Sequence, residues 1–353
     1  YVVTGVVDAA NWSATGVTAL TVGKASQTVD FAALPPQRLT NVVGLAATAL
    51  SGLPVTFAVT SGPGVLTGGT NLSFTSTGVV SVVASQAGNT NWNPAQASVN
   101  IRVQNEVPLD FDGDGITDLG VLRRTNMAWF VWQTSAGGMT PVQFGLIGDI
   151  PVPADYDGDG RSDVAVFRPS TAAWYIFGST SGGWAPIVYG MPGDTPIPAD
   201  YDGDGRADLA VCGAVNRIWS RFGSKVGPMP AFQYGATGDM PIPADYDGDG
   251  RADAAVFRPA NSTWYIFGTT RGAMPSVAFG LTGDLPVPGD YDGDGRIDYG
   301  VFRPSNVTWY LFGSRRGAIP PFTYGAYGDV PLLQPGRRAA PPGAPAPGRS
   351  PRM

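Results

Sequence analysis

Short runs in which apolar and polar residues alternate occur along most of the chain and predict β-strands. In the first third the clearest runs cover residues 55–59, 79–83 and 97–103, with turns rich in Gly, Pro and Asn between them. From residue 105 to residue 334 the same kind of pattern recurs with a period of 45 residues. The chain is therefore predicted to be all-β, with a repeat region after residue 104.

One repeat contains four predicted strands. In the second copy, strand A covers residues 151–156, strand B residues 163–168, strand C residues 174–178 and strand D residues 186–190. Four short strands in about 45 residues are the unit of a β-propeller blade. Five complete units lie between Val107 and Gly325, which predicts a closed ring of five four-stranded blades. We expect this ring to close by packing of blade on blade, with Val330–Leu333 as a candidate supernumerary strand.

The region before the repeats has a weaker repetition of its own. Asn11-Trp12 recurs 80 residues later as Asn91-Trp92, each followed by a strand-like run. We interpret residues 1–25 as the C-terminal remnant of one Ig-like domain and residues 26–104 as a complete Ig-like β-sandwich, because both resemble the Ig-like modules of bacterial surface proteins. The two Trp residues are predicted core anchors rather than ligand platforms.

The ends of the chain give two further expectations. Tyr1 begins without Met or a signal peptide, which is typical of a cut through a longer protein. We assign residues 105–334 to the propeller. Residues 335–353 are rich in Pro, Ala, Gly and Arg and are predicted to be disordered.

The strongest motif is a nine-residue stretch, Asp155-Tyr156-Asp157-Gly158-Asp159-Gly160-Arg161-Ser162-Asp163, which recurs in every repeat. Carboxylates at positions 1, 3, 5 and 9, glycines at 4 and 6 and a backbone carbonyl at 7 form a typical ligand set for a hard cation such as Ca²⁺. The predicted ligands, with the position-7 residue contributing its carbonyl, are Asp110, Asp112, Asp114, Ile116, Asp118; Asp155, Asp157, Asp159, Arg161, Asp163; Asp200, Asp202, Asp204, Arg206, Asp208; Asp245, Asp247, Asp249, Arg251, Asp253; and Asp290, Asp292, Asp294, Arg296, Asp298.

Electrostatics favours a bound cation over an ordinary Asp/Gly turn, which is the alternative interpretation. Carboxylates about 5 Å apart repel by about 3 kcal/mol per pair at an effective dielectric constant of about 20. A turn uses one or two Asp residues for its geometry and has no use for four. Magnesium fits less well, because it dehydrates reluctantly and requires stricter octahedral geometry.

Two other calcium motifs do not fit. An EF-hand needs a bidentate Glu at position 12, where these loops have Val166 and its equivalents, and it needs a helix where the sequence alternates as a strand. The glycine-rich nonapeptide of a calcium-loaded β-roll is missing. The pattern predicts about five Ca²⁺ ions in loops between strands.

Composition excludes several chemistries. The chain has no His, which removes the usual general base, Ser-His triads and most zinc sites. Its single Cys, Cys212, lies in the third repeat at the position that Phe167 has in the second repeat. It is predicted to be a buried apolar residue. Of 28 acidic residues, 20 are loop aspartates, and five bound divalent ions would change the formal charge from −6 to +4. The chain therefore shows no acidity that calls for a basic partner.

Two further residue types recur every 45 residues, and each leaves two interpretations open. One Trp per repeat is either core between blades or part of a sugar-stacking ring: Trp129, Trp174, Trp219, Trp264 and Trp309. Arg residues that end strand B either pair with the Asp of the Gly-Asp turns and tie blades together or form a polar binding rim: Arg123, Arg168, Arg258 and Arg303. In a four-strand meander these Arg residues lie at the end opposite the metal loops. A ligand is expected at that opposite end or at the junction with the Ig-like domain.

The sequence of the repeats resembles the FG-GAP (VCBS-type) repeats of bacterial extracellular proteins, a family that includes the calcium-binding blades of integrin alpha chains. The resemblance rests on Asp-Tyr-Asp-Gly-Asp-Gly-Arg-x-Asp, Ala-Val-Phe-Arg-Pro, Trp-Tyr-Ile-Phe-Gly and Tyr-Gly-x-x-Gly-Asp, and covers about 225 residues. It implies a propeller with calcium in the A–B loops and a role in adhesion or ligand binding. Residues 122–124 and 212–214 depart from Phe-Arg-Pro without touching the aspartates.

Together these features predict a non-catalytic calcium-binding module of a bacterial secreted or cell-surface protein that binds an unknown glycan or protein. Carboxylates that recur identically five times are explained by metal rather than by catalysis. The alternatives are a rigid spacer and an accessory module of an extracellular enzyme whose catalytic domain lies upstream. We expect no nucleic-acid partner, no membrane span in this segment, an extracellular location and a monomeric module within a longer chain.

Overall fold

The computed structural model describes residues 2–4, 17–19, 23–34, 37–38, 42–75, 78–104 and 107–332. The chain divides into two compact units, the first formed by residues 1–35, 42–73 and 79–101 and the second by residues 36–41, 74–78 and 102–353. All regular elements in the described ranges are strands, which confirms the all-β prediction. A search of these ranges found no helix able to cross a membrane. The predictions for Asn11, Trp12 and residues 335–353 fall outside the described residues.

The described residues before the repeats form eleven strands, three of which cover nearly all of the alternating runs predicted at residues 55–59, 79–83 and 97–103. They are β1 Val2–Thr4, β2 Val17–Ala19, β3 Val29–Asp30, β4 Gln37–Arg38, β5 Val43–Gly44, β6 Thr48–Ala49, β7 Thr56–Ser61, β8 Gly64–Thr67, β9 Asn71–Phe74, β10 Gly78–Gln86 and β11 Ala95–Gln104. Their sheets have the orders β1-β2, β3-β6, β5-β9-β8 and β4-β11-β10-β7. Val29, Ala49 and Ala84 form a buried apolar cluster. The Ig-like identity of this region stays a prediction.

The repeats contain the remaining strands. They are β12 Leu119–Arg123, β13 Ala128–Gln133, β14 Gly137–Gly138, β15 Val142–Gln143; β16 Ile150–Pro151, β17 Val164–Arg168, β18 Ala173–Gly178, β19 Gly182–Gly183, β20 Ile187–Val188; β21 Thr195–Pro196, β22 Leu209–Cys212, β23 Ile218–Gly223, β24 Gly227–Gln233; β25 Met240–Pro241, β26 Ala254–Arg258, β27 Thr263–Gly268, β28 Gly272–Ala273, β29 Val277–Ala278; β30 Leu285–Pro286, β31 Tyr299–Arg303, β32 Thr308–Gly313, β33 Gly317–Thr323; and β34 Val330–Pro331.

The repeat region forms five antiparallel sheets, each with its strands in the order A-B-C-D. In the second repeat β16 pairs with β17, β17 with β18, and β18 with both β19 and β20. Strand C alternates between two faces, so that Trp174 and Ile176 are buried on one face while Phe177 on the other is exposed. Both faces carry apolar residues, which allows each sheet to pack between two neighbours.

Consecutive sheets share apolar clusters, and the fifth sheet shares one with the first. The face that carries the recurring Trp packs against a Val of the following repeat: Trp129 with Val166, Trp174 with Val211, Trp219 with Val256 and Trp264 with Val301. Trp309 of the fifth repeat belongs to one cluster with Val121 of the first. The same type of contact therefore occurs at all five junctions.

The C-terminal strand corrects one prediction. Val330–Pro331 is not a supernumerary strand, because β34 pairs with β12 and takes the strand-A position of the first sheet. Leu332 continues this contact by donating its N–H to the carbonyl of Gly120 over 2.9 Å. Val330-Pro331-Leu332 matches Ile150-Pro151-Val152 of the second repeat residue for residue in character, whereas Asn105-Glu106-Val107 does not. The sequence thus contained the signal for this arrangement.

Candidate metal centre

The five nine-residue loops, named loops 1 to 5 and beginning at Asp110, Asp155, Asp200, Asp245 and Asp290, join strand A to strand B. The base of loop 2 is closed by the N–H of Asp163, which donates to the carbonyl of Ala154 over 2.8 Å. Gly158 and Gly160 have φ angles of 79° and 90°, a left-handed conformation that costs Gly little. These two glycines let the chain turn twice within six residues, so that several carboxylates point inward.

Positions 1 and 9 hold the loop backbone. In loop 2 Asp155 accepts the N–H groups of Gly158, Asp159 and Gly160 at 2.7, 3.2 and 2.9 Å. Asp163 accepts the N–H of Tyr156 at 2.8 Å and, through its other oxygen, the N–H of Ser179 at 2.7 Å. The other loops repeat these bonds, as the position-9 carboxylates of loops 1, 3, 4 and 5 show with Phe111, Tyr201, Tyr246 and Tyr291.

Positions 3 and 5 attach each loop to the turn between strands C and D. One oxygen of Asp157 accepts the N–H groups of Thr180 and Ser181 at 3.1 and 2.9 Å. Asp159 accepts the hydroxyl of Ser179. The A–B loop and the C–D turn therefore lie at the same end of the sheet, as predicted for a four-strand meander.

The second oxygen at position 3 has no donor in four loops. The Oδ1 atoms of Asp157, Asp202, Asp247 and Asp292 are buried without a hydrogen-bond partner. A buried, unpaired carboxylate oxygen is costly unless a cation or donor meets it. Its recurrence at the same position of four loops favours a cation or a further donor there.

The carboxylates converge as a cation would require. In loops 1 to 4 the aspartates at positions 1, 3 and 9 each offer one oxygen within 4.8 Å of the others. In loop 5 the converging aspartates are those at positions 1, 3 and 5, which are Asp290, Asp292 and Asp294. Two oxygens on opposite sides of one Ca²⁺ lie up to about 5 Å apart, because each Ca–O distance is about 2.4 Å. The donor set is oxygen only, which suits Ca²⁺ or Mg²⁺ rather than Zn²⁺.

The predicted ligands are thus brought together unequally. Position 5 belongs to the converging group only in loop 5, and position 9 belongs to it only in loops 1 to 4. The position-7 residue donates its N–H to the position-5 carboxylate, as Arg161 does to Asp159 over 2.9 Å. The predicted role of its carbonyl, for Ile116, Arg161, Arg206, Arg251 and Arg296, stays a prediction.

Burial shifts the protonation of these groups strongly. Burial, reinforced by neighbouring aspartates and opposed by backbone N–H donors, raises the pKa from 3.8 to about 7 at Asp110, Asp118, Asp200, Asp245 and Asp290. The same causes raise the pKa to about 6 at Asp163, Asp208, Asp253 and Asp298. Burial would also raise the pKa of Asp157, but the donors of Ser181 and Thr180 outweigh it and lower that pKa. Without a cation, the fold therefore disfavours full ionisation of each loop.

The recurring Trp residues are core, which decides between their two interpretations. All five are completely buried, and each indole N–H donates to the carbonyl of the residue that follows strand D, as Trp174 does to Tyr189 over 3.0 Å. They cannot form a sugar-stacking ring. Cys212 is also completely buried, and burial raises the pKa of its thiol to about 11, which confirms its apolar role.

The Arg residues at the end of strand B form ion pairs, as one interpretation predicted. Arg168 binds both carboxylate oxygens of Asp149 at 2.9 Å, and the equivalent pairs are Arg123–Asp329, Arg258–Asp239 and Arg303–Asp284. Asp149 directly precedes strand A of the sheet that contains Arg168. Each pair therefore holds the segment that connects two repeats against the sheet whose strand A this segment precedes. The pair does not join two sheets directly.

Sequence reasoning missed a second series of aromatic residues, three positions after each buried Trp. Their exposed fractions are 50%, 51%, 42%, 51% and 44% for Trp132, Phe177, Phe222, Phe267 and Phe312. We call these five residues the rim aromatics. Each lies at the end of strand C beside the C–D turn that the metal loop binds. The 45-residue spacing was visible in the sequence, but exposure could not be inferred before the faces of strand C were known.

Several solved structures are distantly similar to this chain. A lectin from Agrocybe aegerita, described as recognising non-reducing terminal N-acetylglucosamine, is 16% identical with a TM-score of 0.35, over 62% of this chain and 65% of the lectin. An auxiliary nutrient binding protein from Bacteroides ovatus is 9% identical with a TM-score of 0.39, over 81% and 83% of the two chains. Streptogramin B lyase is 10% identical with a TM-score of 0.36, over 64% and 74%. Similarities at this level carry no functional argument.

The comparison with protein families was more specific. No curated protein matched the chain. A family model described as the FG-GAP-like repeat matches residues 110–166 and 155–211, each match beginning at the first Asp of a loop and ending within strand B of the next repeat. Residues 110–211 thus carry two FG-GAP-like repeats, which places this part of the chain in a repeat-type family.

Proposed function

We propose that the second unit is a closed five-bladed β-propeller that binds one Ca²⁺ in each of its five A–B loops. The module is non-catalytic and belongs to a bacterial secreted or cell-surface protein, where it binds a glycan or protein ligand. The alternatives are a rigid spacer and an accessory module of a larger extracellular enzyme.

Three contacts between the fifth and first repeats support the ring. β34 completes the first sheet, Trp309 packs in one cluster with Val121, and the N–H of Thr117 donates to the carbonyl of Asp290 over 2.8 Å. The last of these is the same bond that Ser162 makes to Asp110 over 2.6 Å between the second and first repeats. A closed ring explains why a junction between residues about 170 apart in sequence repeats a junction between neighbours.

The observation that carries the calcium proposal is the buried, unpaired Oδ1 atom at position 3 of four loops. Within one loop the carboxylates of positions 1, 3 and 9 would hold the ion, with position 5 as a further oxygen donor. A divalent cation supplies the positive charge that lets these buried carboxylates ionise together. In that state the backbone bonds of positions 1 and 9 fix the shape of the loop, and those of position 3 fix the C–D turn.

Equilibrium dialysis of the whole chain with radioactive calcium tests this proposal. The chelator-treated chain should take up five ions, and the variant carrying Asp157→Asn and Asp159→Asn should take up four. Asp30→Asn, an exposed acid outside the loops, is the matched control and should leave five. Uptake of less than one ion by the unaltered chain at millimolar free calcium would refute the proposal.

The rim aromatics support a binding role over a spacer role, and they favour a ligand at the metal-loop end rather than at the opposite end expected from the sequence. An exposed aromatic at one position in all five repeats is more than the scattered apolar surface of an ordinary domain. In the first three repeats part of the ring covers a glycine of the C–D hairpin, as Phe177 lies 3.6 Å from the point where a Cβ on Gly183 would lie. The remaining exposed face, beside hydroxyl groups of the C–D turn, suits the apolar face of a sugar ring or an aromatic side chain.

A glycan array probed with the whole chain separates binding from spacing. We expect signals that require calcium, because calcium fixes the loop to which the C–D turn is bonded. Phe177→Ala combined with Phe267→Ala should weaken them, while Val188→Ala, which is 71% exposed on the neighbouring strand, should not. A chain that binds calcium but no glycan and no protein from a surface extract would favour the spacer.

A further inference from the structure

We propose that the metal loops bind calcium cooperatively, because at four of the five junctions a loop is bonded through its backbone to the loop of the preceding repeat. This inference rests on the proposed function, since it concerns the regulation of the same calcium sites. It states that an ion bound in one loop changes the affinity of a neighbouring loop for its own ion. Five independent loops would bind their ions without this influence.

The bond runs from position 8 of one loop to position 1 of the preceding loop. The N–H of Ser162 donates to the carbonyl of Asp110 over 2.6 Å, that of Ala207 to Asp155 over 2.7 Å and that of Ala252 to Asp200 over 2.6 Å. Across the closing junction the N–H of Thr117 donates to the carbonyl of Asp290 over 2.8 Å. Four pairs of neighbouring candidate sites are thus joined by a single backbone hydrogen bond.

Both ends of this bond belong to residues that a bound ion would order. Position 1 supplies a carboxylate to the converging group, and position 8 lies between the predicted carbonyl ligand at position 7 and the carboxylate at position 9. An ion in one loop therefore fixes an acceptor for the following loop and a donor for the preceding loop. The neighbour then has less conformational freedom to lose when it binds its own ion, which gives positive cooperativity.

Side chains reinforce the backbone bond at the three internal junctions that have it, which join loops 1 to 4. The Arg at position 7 lies across the position-4 glycine of the preceding loop: a Cβ on Gly158 would lie 2.6 Å from Nε of Arg206, and one on Gly203 would lie 3.1 Å from Cγ of Arg251. At the closing junction position 7 is Ile116, and Thr117 packs against Gly289 instead. Loop 1 therefore keeps the backbone bond to loop 5 without the Arg contact.

Two variants with equal numbers of disabled loops test the coupling. The first disables the adjacent loops 4 and 5 with Asp247→Asn, Asp249→Asn, Asp292→Asn and Asp294→Asn, and it keeps loops 1, 2 and 3. The second disables loops 2 and 5 with Asp157→Asn, Asp159→Asn, Asp292→Asn and Asp294→Asn, and it keeps loops 1, 3 and 4. The nine residues of loops 2 and 4 differ only by Ser162 against Ala252, so the retained loops carry the same carboxylates.

The retained sites differ in their connections. The first variant keeps the bonds from Ser162 to Asp110 and from Ala207 to Asp155, whereas the second keeps only the bond from Ala252 to Asp200. Calorimetric titration of each whole chain with CaCl₂ measures three stoichiometric association constants. Their product should be larger in the first variant by one coupling factor, which is about fivefold at the lower end of typical values.

The outcomes separate this inference from the proposed function. Three sites in each variant with equal products, or a larger product in the second variant, would overturn the coupling and leave the calcium proposal intact. No calcium binding by the unaltered chain would overturn both. If one variant is less well folded, circular dichroism at saturating calcium identifies it, and the pair that disables loops 1 and 5 against loops 3 and 5 supplies the same comparison of two retained bonds with one.

Discussion

Replacement of Leu332 by Ala tests whether the C-terminal segment closes the ring. Leu332 is 1% exposed, and its side chain lies so close to Gly120 that a Cβ there would be 2.6 Å from Cδ1 of Leu332. Removal of a buried Leu side chain costs about 2–5 kcal/mol, because apolar burial is lost and a cavity remains. We take about 3 kcal/mol, since Leu109 and Gly120 are held by their own sheet and cannot refill the space.

The assay is thermal unfolding of the calcium-saturated whole chain. A loss of about 3 kcal/mol should lower the melting temperature of the second unit by about 6–12 °C for a unit of this size. Ile242→Ala is the internal control, because Ile242 has the same place in the fourth repeat, is completely buried and donates its N–H to Ala255 over 2.8 Å. Leu281→Ala, at a site 60% exposed, should change stability by less than about 0.5 kcal/mol.

The two core variants should agree within about 1 kcal/mol if β34 is an integral strand of the first sheet. A full loss for Ile242→Ala together with a loss below about 0.5 kcal/mol for Leu332→Ala would refute closure by this segment. In that case the first sheet would lack its strand A in solution.

Two further predictions concern the closing junction and the protonation of the loops. Gly289→Ala should cost about 1–3 kcal/mol, because its Cβ would lie 2.5 Å from Oγ1 of Thr117, and Thr117→Ala should restore most of that loss by recreating the Ala199 and Ala252 pair of an internal junction. Urea unfolding of both single variants and the double variant measures the coupling, and additive losses would contradict contact between the first and fifth repeats. In the metal-free chain Asp110 and its equivalents have pKa values of about 7 against 3.8 ordinarily, so their contribution to stability is greatest below about pH 4 and is lost as the pH rises through 6 to 7. As the pH is raised from about 4 to about 7.5, the melting temperature should therefore fall in the absence of calcium and stay nearly constant in its presence. A melting temperature that rises with pH in the metal-free chain would show that the loop carboxylates do not control its stability.

The sequence predicted the strands of the repeats well, because their period of 45 residues fixes every element five times. Strand B of the second repeat was expected at residues 163–168 and lies at Val164–Arg168, and strand C was expected at residues 174–178 and lies at Ala173–Gly178. Strand A was predicted as six residues but pairs regularly only over Ile150–Pro151, because Pro153 has no N–H to donate and the chain then turns into the loop.

The sequence could not reveal which oxygens remain unpaired or which neighbours meet. The loop motif indicated carboxylates at positions 1, 3, 5 and 9. Which groups each carboxylate binds depends on the C–D turn, which lies about 16 to 24 residues further along the chain. The bond from Ser162 to Asp110 depends on the packing of one sheet on the next. Exposure of Phe177 and burial of Trp174 likewise follow from the orientation of strand C, and alternation alone does not say which face is outward.

The central claim is that calcium is part of the folded second unit, and calorimetric unfolding of the whole chain with and without chelator tests it most directly. At free calcium near ten times Kd each site adds about 1.4 kcal/mol to the free energy of unfolding of the second unit, so five sites add about 7 kcal/mol. This corresponds to an increase in melting temperature of about 14–28 °C. The first unit has no such loop among its described residues and serves as the internal reference. We expect the chelator to lower the melting temperature of the second unit by more than about 10 °C and to leave that of the first unit unchanged. Equal melting of the second unit in calcium and in chelator would contradict it and return the loops to ordinary turns.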